Sequence, residues 1–136
     1  MEDEELEKIK QRKLQEMISA QKEMQEQSQV SVLELDSTNF DSTIASNNLV
    51  LVDFWAEWCG PCKIMHPVFE RMAKKYREIK FVRVNVDSNQ PIAQKFGVQA
   101  IPTFIMFQGG QEAKRMMGAV GEPGIHMIAK KFLSIN

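Results

Sequence analysis

Leu49-Val50-Leu51-Val52-Asp53-Phe54-Trp55-Ala56 is followed directly by Glu57-Trp58-Cys59-Gly60-Pro61-Cys62. The first eight residues are apolar except for Asp53, the pattern of a parallel strand buried on both faces. Gly60-Pro61 then reads as a tight turn into a helix. Proline is tolerated in the first helical turn, where no intrahelical N–H bond is needed. A helix that begins near Cys59 puts this sulfur beside free backbone N–H groups and the positive end of the helix dipole. Such a cysteine has a lowered pKa and a larger thiolate fraction near neutrality. Cys62 falls one turn later on the same side of the helix, within reach of Cys59.

This spacing predicts a two-step thiol chemistry. An exposed Cys59 thiolate attacks a disulfide, and Cys62 then loses its proton and attacks Cys59, leaving an oxidised pair. The second step needs a proton acceptor. Asp53 is the candidate, because a carboxylate in an apolar strand is desolvated and its pKa rises. A structural carboxylate is the competing reading for Asp53. The cysteines have competing readings too, as buried thiols without a joint role or as half of a zinc site. Zinc needs four ligands, and only His66 and His126 could complete the set at unsuitable spacing, so no metal is expected.

Outward from this core the pattern alternates between strand-like and helix-like. Val30–Leu35 reads as a short strand, and Ser37 or Thr38 is placed to cap a helix that ends near Ser46. The helix from about Cys59 to Tyr76 carries two apolar stripes, Ile64/Val68/Met72 and Met65/Phe69/Ala73, with Pro67 expected to kink it. Phe81–Asp87 alternates as a strand, and a short helix around Gln90–Phe96 is closed by Gly97. Ile101–Phe107 is a strand entered through Pro102, and Gln108-Gly109-Gly110-Gln111 turns it into an antiparallel strand, Glu112–Met117. Ile125, Ile128, Ala129, Phe132 and Leu133 then share one face of a last helix. The order βαβαβαββα implies an α/β domain with a mixed five-stranded sheet and four flanking helices.

Residues 1–29 differ from the rest. They hold eight acids and five bases, with no aromatic residue, Gly or Pro. Leu6, Ile9, Leu14, Met17, Ile18 and Met24 fall loosely at helical spacing, which predicts an amphipathic helix of four to six turns, fraying through Gln25–Gln29. Lys10 and Lys13 interrupt any heptad seam, so only weak self-association is expected. Residues 30–136 form the expected compact domain.

The chain of 136 residues is 43% hydrophobic and 26% charged, with a formal net charge of −1, so nothing in its charge suggests nucleic-acid binding. No apolar run is long enough for a bilayer span, and the acidic start is unlike a secretory signal. A cytoplasmic location is the expectation. There are only two cysteines. A disulfide closing so small a loop removes little unfolded-chain entropy, so its use is chemical more than structural.

Val52 to Lys63 resembles the active-site segment of the thioredoxin family at almost every position. Pro67, Asn85-Val86-Asp87, Ile101-Pro102-Thr103 and Gly118-Ala119 extend the resemblance over about residues 30–136, but not into the first 29. It implies the thioredoxin fold and a protein-disulfide reductase without a cofactor, itself reduced by a thioredoxin reductase or an equivalent donor. It also implies a cis bond before Pro102 and a substrate groove formed by Trp58, Gly60, Pro61, Ile101, Pro102, Gly118 and Ala119. Read alone, Pro102 is an ordinary strand-opening proline. Arg83 stands where many members carry lysine near the buried Asp, and its permanent charge would hold Asp53 more ionised. His66, one turn beyond Cys62, is a candidate for tuning the redox pair, although its place before Pro67 favours a solvent-facing residue. A partner-binding module working through the N-terminal helix, or a thiol oxidase or isomerase, are the alternative functions.

Overall fold

The computed structural model describes residues 2–29 and 32–134. The chain divides into two compact units, Met1–Val30 and Ser31–Asn136. The first contains one helix, α1 (Glu2–Gln29). It is continuous over about eight turns, where the sequence predicted four to six with a frayed end. Strong helix formers with no Gly or Pro to interrupt them carry it through Gln25–Gln29, aided by charge pairs such as Glu4–Lys8 and Arg12–Glu16 at i,i+4 spacing. Leu6, Ile9, Leu14, Met17 and Ile18 are exposed along it.

The second unit runs β1 (Leu33–Leu35), α2 (Phe40–Ser46), β2 (Leu49–Trp55), α3 (Gly60–Lys75), β3 (Lys80–Asn85), α4 (Gln90–Lys95), β4 (Thr103–Gln108), β5 (Gln111–Met117) and α5 (Gly121–Leu133). This is the expected order. Val30 and Ser31, expected to open β1, lie outside the described residues. The five strands form one sheet in the order β1-β3-β2-β4-β5. β1 and β2 are parallel to β3, whereas β4 is antiparallel to β2 and β5 to β4.

Strand alternation sorts the side chains onto two faces. Leu35, Val50, Val52, Phe54, Val82, Val84, Ile105 and Phe107 form one core with Phe40 and Ile44 of α2 and Ile92 of α4. Phe40, Phe96 and Phe107 meet there edge-on or tilted, 5.1–5.9 Å apart. The opposite face packs under α3, where Phe69 meets Phe81 at 4.9 Å and Phe104 at 5.7 Å. Ile125, Ile128 and Ala129 of α5 are buried, while Phe132 and Leu133 are half-buried.

Two local expectations change. Neither Ser37 nor Thr38 caps α2. Instead Asp36 Oδ1 accepts from the Thr38 N–H and Asn39 Oδ1 from the Asp36 N–H, both at 2.8 Å, and this reciprocal turn delays the helix to Phe40. In α3 the buried stripe is Cys62, Met65, Phe69, Met72 and Ala73. Ile64 is 68% exposed, because one residue rotates the helix by about 100° and carries it off that stripe. α3 runs unbroken through Pro67, whose missing N–H leaves one carbonyl without its helical donor.

Candidate active site

The redox pair lies where β2 hands the chain to α3. β2 ends at Trp55, and Cys59 is the N-terminal cap of α3, its backbone still extended at φ −90°, ψ 105°. Pro61 occupies the first turn. The Cys62 N–H donates to the Cys59 sulfur at 3.2 Å, so one free donor of the helix start is aimed at this atom. Cys59 and Cys62 form a disulfide, with Cα atoms 5.3 Å apart. Cys59 is only 4% exposed and Cys62 is wholly buried. The expected exposed Cys59 is thus a near-buried residue whose small accessible edge is the pair's sole contact with solvent.

Further back along β2 lies a row of charge that crosses three strands. Register places Asp53 of β2 beside Arg83 of β3, and Arg83 beside Glu34 of β1. Asp53 is completely buried, with Arg83 Nε 3.6 Å and His66 Nε2 4.0 Å from its Oδ2. Neither carboxylate oxygen has a hydrogen-bond partner. Burial is the main reason its pKa is pushed up to about 7; Arg83 opposes this rise and Glu34 adds to it. Arg83 also donates to Glu70 Oε1 at 3.3 Å and to the His66 carbonyl at 3.0 Å. It therefore ties β3 to α3 as well as facing Asp53.

His66 does not face solvent freely. Its side chain is 22% exposed, and its ring meets Trp55 edge-on at 4.8 Å. Pro67 leaves the residue before it helical, and the i,i+4 relation to Cys62 turns it toward the sheet. Burial, then Arg83, lowers its pKa.

The residues proposed by resemblance for a groove lie in the cysteine loop and first turn of α3 (Trp58, Gly60, Pro61), just before β4 (Ile101, Pro102) and just after β5 (Gly118, Ala119). Gly60 and Pro61 are exposed, and Trp58 is 71% exposed, with its indole N–H donating to Asp87 Oδ2 at 2.9 Å. The Ile101–Pro102 bond is cis. Thr103, the next residue, pairs with Phe54, so this peptide lies beside the end of β2 from which the cysteine loop departs. Pro102 is buried and Ile101 half-buried. Gly118 donates its N–H to the Pro102 carbonyl at 2.8 Å and has φ +92°, a conformation that favours glycine. No atom lies within 4 Å of where its Cβ would stand, leaving the space above it open. Ala119 is exposed next to it.

Glu34, Glu70 and Asp87 belong to this site; the first two were not singled out from the sequence, and Asp87 was noted there only within the Asn85-Val86-Asp87 match. Glu34 accepts from the Trp55 indole at 2.8 Å. It stands in a three-residue strand among other acidic residues, and only the β1–β3–β2 register brings it to the row. Asp87 offered a better signal, since Asn85-Val86-Asp87 closes a strand at the same end of the sheet. Among the described residues no group of three His, Cys, Asp or Glu side chains is arranged to hold a metal ion.

Comparison with known proteins agrees with this architecture. The thioredoxin family model matches residues 31–131. Thioredoxin of Pyropia yezoensis is 38% identical over 107 residues, covering 77% of this chain and all of that protein. The bifunctional thioredoxin reductase/thioredoxin of Mycobacterium leprae is 44% identical over 97 residues, 71% of this chain but 21% of that longer protein. Among solved structures, a mutant thioredoxin from Halobacterium salinarum superposes with a TM-score of 0.72 at 30% identity, covering 76% of this chain and 91% of that one. With fold, cysteine placement and sequence in agreement, the chain belongs to the thioredoxin family, dithiol–disulfide oxidoreductases that reduce protein disulfides.

Proposed function

We propose that this chain reduces protein disulfides with Cys59 as the attacking sulfur, Cys62 as the resolving sulfur and Asp53 as the proton acceptor. The observation that carries this reading is the placement of Cys59 at the helix cap, with an N–H aimed at its sulfur and Cys62 fully buried behind it. In the reduced protein this cap stabilises a Cys59 thiolate. The thiolate attacks one sulfur of a substrate disulfide and displaces the other. Cys62 gives its proton to Asp53 and attacks the Cys59 sulfur, so the second substrate sulfur leaves with the bonding electrons. Substrate gains two electrons and the cysteine pair is oxidised.

Asp53 suits this task because burial brings its pKa to about 7, near the working range. Arg83, always charged, limits how far burial can raise it. Trp58, Gly60, Pro61, Ile101, Pro102, Gly118 and Ala119 are the groove that receives an extended substrate segment, with the open space above Gly118 admitting its backbone. The electron donor is a thioredoxin reductase. The fusion of the two activities in the Mycobacterium leprae relative supports that pairing. A reducing compartment such as the cytoplasm suits this direction of electron flow.

The exposed apolar residues of α1 support an added role in weak self-association. Sizing the chain with and without residues 1–29 tests it, and an unchanged mass per particle removes it.

Redox titration followed by Trp55 and Trp58 fluorescence tests the reductase reading. A potential below about −240 mV supports it, and one above about −200 mV points to an oxidase or isomerase.

A further inference from the structure

We propose that His66 is the proton relay between solvent and the buried Asp53. The inference rests on the reading of Asp53 as the acceptor of the Cys62 proton. An acceptor used in every turnover must also lose that proton, and Asp53 has no surface through which to do so. Within 4.0 Å of its carboxylate the described cationic side chains are Arg83 and His66. A guanidinium is no proton carrier in proteins, and Arg83 already donates to Glu70 and to the His66 carbonyl. His66 is the side chain that touches both compartments.

Its Nε2 is buried, lacks a hydrogen-bond partner and lies 4.0 Å from Asp53 Oδ2. The side chain as a whole is 22% exposed, so its accessible surface lies at atoms other than Nε2. Trp55 against the ring and Arg83 on the backbone carbonyl hold this orientation. A small ring movement or a single bridging water spans the remaining distance. The surrounding charges favour transfer over storage. Burial and the cations Arg83 and Lys63 weaken proton binding by His66, while Glu70 and Glu57 strengthen it and Glu34 acts on Asp53.

The step balances in protons alone. Asp53 O–H breaks and Nε2–H forms, then Nδ1 releases its proton to water. Carboxylate and neutral imidazole result, with no change in electron count.

Stopped-flow reduction of a disulfide substrate by the full chain, from about pH 5.5 to 9, tests the relay. His66→Ala is expected to slow the resolving phase roughly tenfold below about pH 7, and added imidazole to restore it. In that range Asp53 starts protonated and must shed its proton through His66 before it can take that of Cys62. His66→Phe keeps an aromatic ring against Trp55, so it is expected to be slow, unrescued by imidazole and still folded by thermal melting. Asp53→Asn is expected to be slow with no response to imidazole. If both His66 variants match the parent while Asp53→Asn is slow, the relay is wrong and Asp53 stands. If Asp53→Asn is as fast as the parent, the reading of Asp53 fails and the relay with it. A His66→Ala defect that is equal at all pH and indifferent to imidazole reduces His66 to a packing role and overturns the proposal.

Discussion

The two faces of the sheet are built from the same strands yet hold different kinds of interior. Beneath α2 and α4 the core is built on apolar side chains and holds no buried charge among the described residues: Val50, Val52, Phe54, Val82, Val84, Ile105 and Phe107 close on Phe40 and Ile44. Beneath α3 the alternate residues of those strands include Asp53 and Arg83, both buried. Burying apolar surface contributes stability in proportion to area and is nearly indifferent to pH. A buried carboxylate with unpaired oxygens destabilises its own charged form and makes the fold sensitive to pH. One face supplies the stability that the other draws on for chemistry.

The largest test of this division is chemical. Cys59→Ser is expected to abolish disulfide reduction, and Cys62→Ser to accumulate mixed disulfides that gel electrophoresis without reductant detects. Failure to trap any would break the assignment of roles at the start of α3. Both variants should retain the cooperative melt of the apolar face.

On the apolar face, Phe107→Ala is expected to cost about 3–5 kcal/mol in denaturant unfolding, through lost burial and the cavity left between Phe40 and Phe96. The loss should be nearly constant from acid to alkaline pH. A strong pH dependence would mean that the two faces are coupled.

On the charged face the sign and the pH profile both differ. Asp53 has a pKa of about 7 when folded, against 3.8 as its ordinary value. Below the lower value both states hold the proton and the group contributes nothing to pH dependence. Between the two values the unfolded chain loses its proton first, so stability falls as pH rises. Above about 7 the full penalty is present. Asp53→Asn is therefore expected to stabilise the protein at pH 8, by at most about 4 kcal/mol, with the gain vanishing toward pH 4. Arg83 keeps Glu70 and the His66 carbonyl as partners in this variant. Denaturant melts across this range check the expectation, and an equal shift at every pH would show that Asp53 does not titrate as its burial requires.

The smallest effect concerns α1. Removal of residues 1–29 is expected to lower the helical circular dichroism signal while moving the unfolding midpoint of residues 31–136 little, since both sheet faces are covered by helices of their own unit. A large loss of stability would mean that α1 contributes to one of those interiors.

The sequence made most of the architecture legible because the strands alternate cleanly or run apolar throughout, and because Gly97 and Gly109-Gly110 mark a helix end and a hairpin at positive φ. The redox pair was legible for a local reason: residues three apart at the start of a helix must share a side, whatever surrounds them. Boundaries were harder where short-range hydrogen bonds compete, as in the turn of Asp36 and Asn39 that displaced the expected cap. Ile64 shows the same limit from the packing side, since an apolar residue just off a buried stripe reads like one on it.

The sequence by itself determined the order of elements, the two cysteines at a helix N-terminus and a carboxylate in an apolar strand. Each depends on interactions between residues close in the chain. Only the tertiary structure decided that Glu34, Arg83 and Asp53 form one row, that His66 reaches that row over Trp55, and that Asp53 has no surface. Those facts depend on which strands are neighbours and on how α3 lies across them. Burial and electrostatic coupling are set by distances between residues far apart in sequence, so a local pattern nominates such groups and packing decides their protonation.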